Sequence, residues 1–246
     1  MDCEEIRPYT HDTESKSEQV RRMFNAIAPA YDLMNRLMTF GLDRLWARRA
    51  VRAAAESAPH TILDVATGTA DIALRLASAV PEASITGIDL SEGMLEVGRN
   101  KVNAAGLAGR IDLRRADCLD MPFESDTFQA VTVAYGVRNF SNLRQGYESM
   151  YRVLVPGGRI TVLELTTPAS PLVRPLYNLY TRYIIPFVGR LLSHDLRAYS
   201  YLPESIRAVP QRSQMAEFMS NAGFTDCRWR TFFPGVCCLY TAVKPS

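Results

Sequence analysis

Ile62-Leu63-Asp64-Val65-Ala66-Thr67-Gly68-Thr69-Ala70-Asp71 is the stretch from which the rest of the chain can be read. An apolar run ends in a turn of small residues and passes directly into helical spacing. Twenty-one positions beyond Gly68, a second apolar run, Ser84-Ile85-Thr86-Gly87-Ile88, delivers Asp89. Strand, tight turn, helix, strand and terminal acid make half of a nucleotide-binding α/β unit. The small residues let the backbone approach a ligand, and an acid at that strand end accepts hydrogen bonds from two ribose hydroxyls.

Working outward, the spacing predicts strands near 61–66, 84–89, 110–116, 129–134 and 159–165, with helices near 70–79, 91–105 and 142–153. Such alternation implies a parallel sheet covered on both faces. Two last apolar stretches, about 226–233 and 236–243, flank Pro234-Gly235 and read as a hairpin closing the sheet edge. Residues 1–17 are polar, and a mobile tail is expected there. The remainder, 18–246, reads as one domain. It carries an N-terminal helical cap over 18–57, punctuated by Pro29 and Gly41, and an aromatic, proline-bearing insert over about 168–208.

The chain has 246 residues, 47% hydrophobic, with a net charge of +2. That balance gives no reason to expect a nucleic-acid partner. Met1 to Glu18 contains no apolar core of a signal peptide. No apolar run reaches the ~20 residues of a bilayer span. The expectation is a cytoplasmic protein, at most peripheral to the inner face of the membrane. Five cysteines without a C-x-x-C pair, and three histidines, fit reduced thiols and predict no metal site.

Two readings compete for the turn. As a dinucleotide fingerprint it carries alanine where a glycine must approach pyrophosphate, and Asp71 in the first helical turn is a poor neighbour for a phosphate. The other reading is the D-x-G-x-G-x-G loop, here Asp64-Val65-Ala66-Thr67-Gly68-Thr69-Ala70, which keeps only the middle glycine. Later segments separate them. Ala116-Asp117-Cys118 places an acid where an adenine amino group needs an acceptor. Met121-Pro122-Phe123-Glu124-Ser125-Asp126-Thr127-Phe128 and Tyr151-Arg152-Val153-Leu154-Val155-Pro156-Gly157-Gly158-Arg159 follow in order. This series resembles small-molecule methyltransferases that use S-adenosylmethionine (SAM), whose sulfonium needs no anion cradle.

Three further segments narrow the resemblance: Met23-Phe24-Asn25-Ala26-Ile27-Ala28-Pro29-Ala30-Tyr31-Asp32-Leu33-Met34-Asn35, Tyr135-Gly136-Val137-Arg138-Asn139, and Tyr199-Ser200-Tyr201-Leu202-Pro203-Glu204-Ser205-Ile206-Arg207. Together they resemble the quinone-biosynthesis C-methyltransferases, which methylate demethylmenaquinol and, in some organisms, 2-methoxy-6-polyprenyl-1,4-benzoquinol. The resemblance runs from about residue 18 to the end of the sequence. It implies a Rossmann-like class I SAM-dependent methyltransferase fold, with a mostly parallel seven-stranded sheet and an antiparallel strand in the C-terminal hairpin. It also implies SAM as methyl donor, no metal, a polyprenyl hydroquinone as acceptor, and a homodimer or quinone-biosynthesis complex as assembly. The chain departs from the common family loop at Ala66 and Ala70, and Ala134 stands where a small hydroxyl residue is frequent.

By residue-wise transfer, Thr69, Asp89, Asp117 and Cys118 (through its backbone) match SAM-contacting positions, with Gly68 and Asp64 in the loop beside them. Asp64, Asp71 and Asp89 have a plainer reading as helix-start acids or caps. Arg138 suits an electrostatic stabiliser for a developing phenolate and Asn139 a hydrogen-bonding orienter. Tyr31 is a further candidate at the ring or at the SAM carboxylate, and His194 beside Asp195 has the pKa class of a general base. Tyr177, Tyr180, Tyr183, Ile184 and Phe187 recur at helical spacing, as a lid or isoprenoid groove would require. Arg44, Arg48, Arg49 and Arg52 with Trp46 suggest a basic face for anionic lipid. The rival readings are a methyltransferase for another lipid and a non-catalytic SAM-binding assembly protein.

Overall fold

A computed structural model describes residues 3–10, 12–187 and 197–246. The helical cap comprises α1 (Lys16–Ile27), α2 (Tyr31–Met38) and α3 (Leu42–Ala54). There follow β1 (Thr61–Val65), α4 (Asp71–Ala79), β2 (Ser84–Asp89), α5 (Glu92–Ala104), β3 (Ile111–Arg115), β4 (Phe128–Ala134), α6 (Leu143–Val153) and β5 (Leu154–Leu165). The insert contributes α7 (Val173–Leu179), continued by a π-helical turn over Tyr180–Ile184, and α8 (Arg197–Ala208). The chain then runs through α9 (Ser213–Asn221), β6 (Thr225–Phe232) and β7 (Cys237–Val243).

The seven strands form one sheet in the order β3-β2-β1-β4-β5-β7-β6. β1 pairs in parallel with β2 and with β4, while β7 runs antiparallel to both of its neighbours. The central strands β1, β4 and β7 are largely apolar because they are covered on both faces, whereas the edge strands β3 and β6 carry exposed charged residues. Period-two alternation sends Ile62, Ile85 and Ala130 into the layer under α3–α5, and Leu63, Val65, Val131 and Val133 into the layer under α6 and α9. Neighbouring Cys237 and Cys238 divide in the same way between two buried clusters.

Three details differ from the sequence-based expectation. β5 starts at Leu154, immediately after α6, instead of at 159. The hairpin does end the sheet, but its second strand lies inside it, between β5 and β6. The polar tail does not hang free over its described part: Cys3 and Ile6 are buried, and Leu143 N donates to Glu4 Oε1 at 2.8 Å. Lys16, expected to be mobile, is 4% exposed and donates to the carbonyls of Cys3 and Phe140 at 2.5 and 2.8 Å. Charge patterning conceals this, because a lysine surrounded by carbonyls reads as solvated.

Candidate active site

The turn between β1 and α4 is built from alternating left-handed residues: Ala66, Gly68 and Ala70 have φ of 52°, 56° and 62°. These are the three glycine positions of the loop pattern, and the two alanines sit there at a cost of roughly 1–2 kcal/mol each. Beneath the turn, Asp64 is 1% exposed and receives the hydroxyls of Thr67 and Thr132, both at 2.6 Å. Burial pushes its carboxyl up to about 6 against the pull of those two hydrogen bonds.

Gly68 N donates to Asp89 Oδ2 at 2.9 Å and Ser91 N to Oδ1 at 2.8 Å. A carboxylate has about four lone-pair sites, so these backbone donors leave room for a ligand hydroxyl. Burial raises the Asp89 carboxyl, while the backbone donors oppose the rise. Asp117 is held by its Oδ1 accepting from Leu119 N at 2.9 Å, and lines the same cleft as Asp89, Cys118, Met94 and Phe140. Burial pushes the Cys118 thiol well up, so it stays neutral. This end of the cleft encloses about 80 Å³ and the opposite end, over Asp64, Gly68 and Thr69, about 90 Å³. The floor between them depends on close backbone approach: a Cβ on Gly136 would lie 2.7 Å from the Ala66 methyl.

The cap closes over this cleft through polar side chains. Asn25 Oδ1 accepts from Ser91 Oγ and Gly93 N at 2.7 and 2.9 Å, fastening α1 to the start of α5. Thr69 lines the cleft, yet its hydroxyl donates to Asp32 Oδ1 at 2.6 Å, and Lys101 Nζ donates to Asp32 Oδ2 at 2.9 Å. The Thr69 side chain therefore ties the loop to α2.

Beside the cleft lies a cavity of about 450 Å³, walled by side chains such as Met38, Leu42, Trp46, Leu176, Tyr180 and Val236. Tyr31 and Tyr135 border both ends of the cleft and this cavity. Arg138 forms its polar corner. The guanidinium is 6% exposed and its Nη1 lies 2.7 Å from Glu164 Oε1, while Arg138 N donates to Oε2 of the same carboxylate at 3.2 Å. Burial disfavours the charge on Arg138, but Glu164, Tyr31 and Tyr201 together exceed that effect and raise the guanidinium pKa. Arg138 Nε is buried without a hydrogen-bond partner among the described residues, while the Tyr135 hydroxyl lies against the Cys237 thiol. Arg138 lines the cavity, so its Nε is an unspent donor at the edge of an apolar space. Asn139 borders the cleft, accepting from Tyr201 OH at 3.1 Å and donating to Tyr135 O at 3.3 Å. Burial raises the Tyr31 hydroxyl pKa, and the Arg138 charge opposes that rise.

The structure thus brings together Asp64, Gly68, Asp89, Asp117, Cys118 and Thr69 around one cleft, with Tyr31, Arg138 and Asn139 at its junction with the cavity. His194 lies outside the described residues. Trp46 is buried against Ala50, Leu163 and Cys237 and so does not belong to the exposed arginine face of α3. Sequence patterning does not single out Glu164. Its one signal is a lone acid closing the apolar run Ile160-Thr161-Val162-Leu163. Among the described residues no cluster of histidine, cysteine or acidic side chains is arranged to hold a metal.

Comparison with known proteins agrees with this geometry. The sequence profile of the ubiE/COQ5 methyltransferase family matches residues 12–244. A Porphyromonas gingivalis protein named demethylmenaquinone methyltransferase is 46% identical over 243 residues, covering 98% of each chain. A Geotalea daltonii protein named ubiquinone/menaquinone biosynthesis C-methyltransferase UbiE is 43% identical over 93% of this chain and 97% of its own. Among solved structures, the SAM-dependent methyltransferase SibL superposes with a TM-score of 0.63 at 21% identity, over 85% of this chain and 57% of that one. An O-methyltransferase family protein from Burkholderia thailandensis gives 0.64 at 17% identity, over 96% and 61%. At such identities the structural likeness speaks for the fold.

Proposed function

The chain belongs to the ubiE/COQ5 methyltransferase family, and from that premise we propose that this SAM-dependent methyltransferase C-methylates demethylmenaquinol to menaquinol. The observation that carries the acceptor assignment is the apolar cavity with Arg138, whose Nε has no hydrogen-bond partner among the described residues, at its polar corner. SAM fits the cleft: Asp89 would take the ribose hydroxyls, Asp117 and the Cys118 backbone the adenine, and Asp64 the ammonium end. When bound there, it supplies a methyl group made electrophilic by the sulfonium.

The chain's own residues do the rest. Tyr31 and Tyr135 hold the boundary at which a ring carbon must come within roughly 3–3.5 Å of the methyl. A quinol ring becomes nucleophilic at carbon as its phenolic proton leaves, and the ordinary phenolic pKa is about 10. Arg138 favours that loss by donating its Nε hydrogen to the developing phenolate. One such fixed donor contributes on the order of 3–4 kcal/mol in a site shielded from water. Glu164 holds the guanidinium from behind, so the donor is already aimed. The oxidised quinone has no such proton and an electrophilic ring, so it does not react.

The cavity also sets how the acceptor arrives. Each five-carbon isoprenoid unit drawn from lipid into water costs about 4 kcal/mol, at roughly 0.8 kcal/mol per carbon. A long-tailed quinol therefore presents its ring while the tail stays in lipid, and the protein meets it at the lipid surface. No helix among the described residues is long and apolar enough to cross a membrane.

The test is incubation of purified protein with methyl-labelled SAM and demethylmenaquinone, reduced or oxidised. Label is expected on the reduced naphthoquinol alone. Transfer to neither form, with SAM still bound, overturns the assignment in favour of another acceptor or a non-catalytic role. A methoxybenzoquinol arm asks whether the protein shares the double activity in the name of the Geotalea relative.

A further inference from the structure

We propose that the outward face of residues 172–187 docks on an anionic membrane surface and holds the mouth of the acceptor cavity against the lipid. The inference deepens the quinol reading and rests on it for its purpose, though the docking surface itself is physically independent of it.

Leu172, Leu176, Leu179, Tyr183 and Phe187 follow one another at intervals of four, three, four and four, which is one stripe of a helix. All five are between 57% and 84% exposed, and α7 has no buried residue. The same segment lines the cavity with Val173, Leu176, Tyr177, Tyr180 and Ile185, so Leu176 stands at the rim between the two sides. A surface helix ordinarily turns a polar face outward; this one is apolar on both sides. The cavity accounts for one side, and among the described residues nothing covers the other.

The patch continues across the mouth. Phe40, 81% exposed, stands 6.0 Å from the Tyr180 ring on the opposite lip, followed along α2 by exposed Leu37 and Leu33. Exposed apolar surface that surrounds the opening of an apolar cavity marks an interaction site.

Charge selects the occupant. From Leu165 to His194 the chain has no aspartate or glutamate, and Arg174 and Arg182 are the exposed charges within the stripe. Arg36 lies exposed beside Leu37 on the other lip. Aliphatic and aromatic side chains flanked by arginines complement the interface of a bilayer containing anionic lipid. By contrast Arg48, Arg49 and Arg52 line a different groove with Arg75 and Arg230, which shares no residue with the cavity wall. The basic face of α3 thus lies apart from the cavity mouth, and the proposed contact is at α7.

Neither Leu172 nor Leu179 lines the cavity, so Leu172→Glu/Leu179→Glu tests the face without touching the acceptor site. Co-sedimentation with phosphatidylcholine vesicles, with and without phosphatidylglycerol, reads docking directly. The wild type is expected to pellet with the anionic vesicles, and the variant to lose at least about tenfold in partitioning. Turnover of a tail-less demethylnaphthoquinol in buffer should stay within about twofold, while turnover of the long-tailed quinol in vesicles drops about tenfold. Arg174→Ala/Arg182→Ala, which adds no charge to the apolar stripe, should remove the preference for phosphatidylglycerol.

Absence of wild-type binding, or equal binding by all three proteins, overturns the proposal. So does light scattering that shows a wild-type dimer and a monomeric variant, because the face is then a self-interface. If vesicle binding and its loss are both seen but neither quinol is methylated, the quinol reading fails while the docking face stands.

Discussion

The proposed SAM cleft and the proposed acceptor cavity meet at Tyr31 and Tyr135, and below that meeting they are built by opposite means. The cleft comes from strand ends and the turns that follow them: Gly68, Asp89 and Asp117 lie close along the chain and are held by backbone N–H groups. The cavity comes from the cap and, more than a hundred residues later, the insert and the C-terminal hairpin, joined by contacts such as Tyr180 OH on Met38 O at 2.5 Å. One is a polar recognition site made by a small motif; the other is an apolar volume made by tertiary packing. Changes in the first should act on cofactor affinity, and changes in the second on turnover.

The largest break in that division comes from Arg138→Ala. Turnover is expected to fall roughly 100- to 1,000-fold, with SAM affinity by calorimetry essentially unchanged. The same substitution leaves Glu164 buried without its counter-charge, held only by the Arg138 and Leu165 backbone N–H groups, so a thermal melt should show a loss of about 3–5 kcal/mol. Glu164→Gln tests the support instead of the donor: turnover drops, and SAM binding stays. Loss of SAM affinity in either variant would erase the boundary between the two regions.

On the other side, Asp89→Asn should weaken SAM about 10- to 100-fold, since hydrogen bonds to a charged group carry roughly 1.5–3 kcal/mol. Turnover at saturating SAM should change little. An equal fall in saturated turnover would show that the cleft also sets the chemistry.

Asp64 makes the comparison depend on pH. Its carboxyl is raised to about 6 from an ordinary value of 3.8, so the folded state holds the proton more tightly than the unfolded one. The stability this brings is complete below about pH 4 and is lost as pH rises through about 6, a total of about 3 kcal/mol. Asp64→Asn should flatten that dependence and raise the melting temperature at pH 7.5. SAM affinity in the wild type should increase from pH 5 to 7 as the carboxylate forms, and that increase should vanish in the variant.

The smallest effect is expected at Ala66→Gly. Removing a methyl from a left-handed residue relieves about 1–2 kcal/mol, against about 0.5–1 kcal/mol for the freer unfolded glycine. A rise in melting temperature of about 1–2 °C should follow, with both substrate affinities unmoved.

The same contrast explains which features are legible in the amino-acid sequence. β1, its turn, α4, β2 and Asp89 are legible because their signals follow one another within a single strand–turn–helix–strand unit. Arg138 and Asn139 are legible as residue types at a strand end. Glu164 is not, since the helix-covered sheet that buries it is assembled from distant segments. Nor is the occupation of Thr69 by Asp32, 37 positions earlier, or the burial of Lys16 under carbonyls of residues past position 135. The aromatic insert announces a wall for the cavity at Tyr177 and Tyr180, while periodicity alone does not reveal that Tyr183 and Phe187 face away from it.

The placement of β7 has a consequence for how the protein comes into being. On a ribosome β6 leaves the exit tunnel before β7, yet β7 must lie between β5 and β6. Until it arrives, the nascent chain holds β5 with one open edge and β6 with no neighbour to pair with. Cys237, Cys238, Tyr240 and Ala242, all at most 1% exposed once in place, leave a matching gap in both layers of the core. Val236 and Pro234 beside β7 also complete the acceptor cavity. The apolar cavity is therefore complete only after β7 has been synthesised, and until then the exposed sheet edge is material for chaperones.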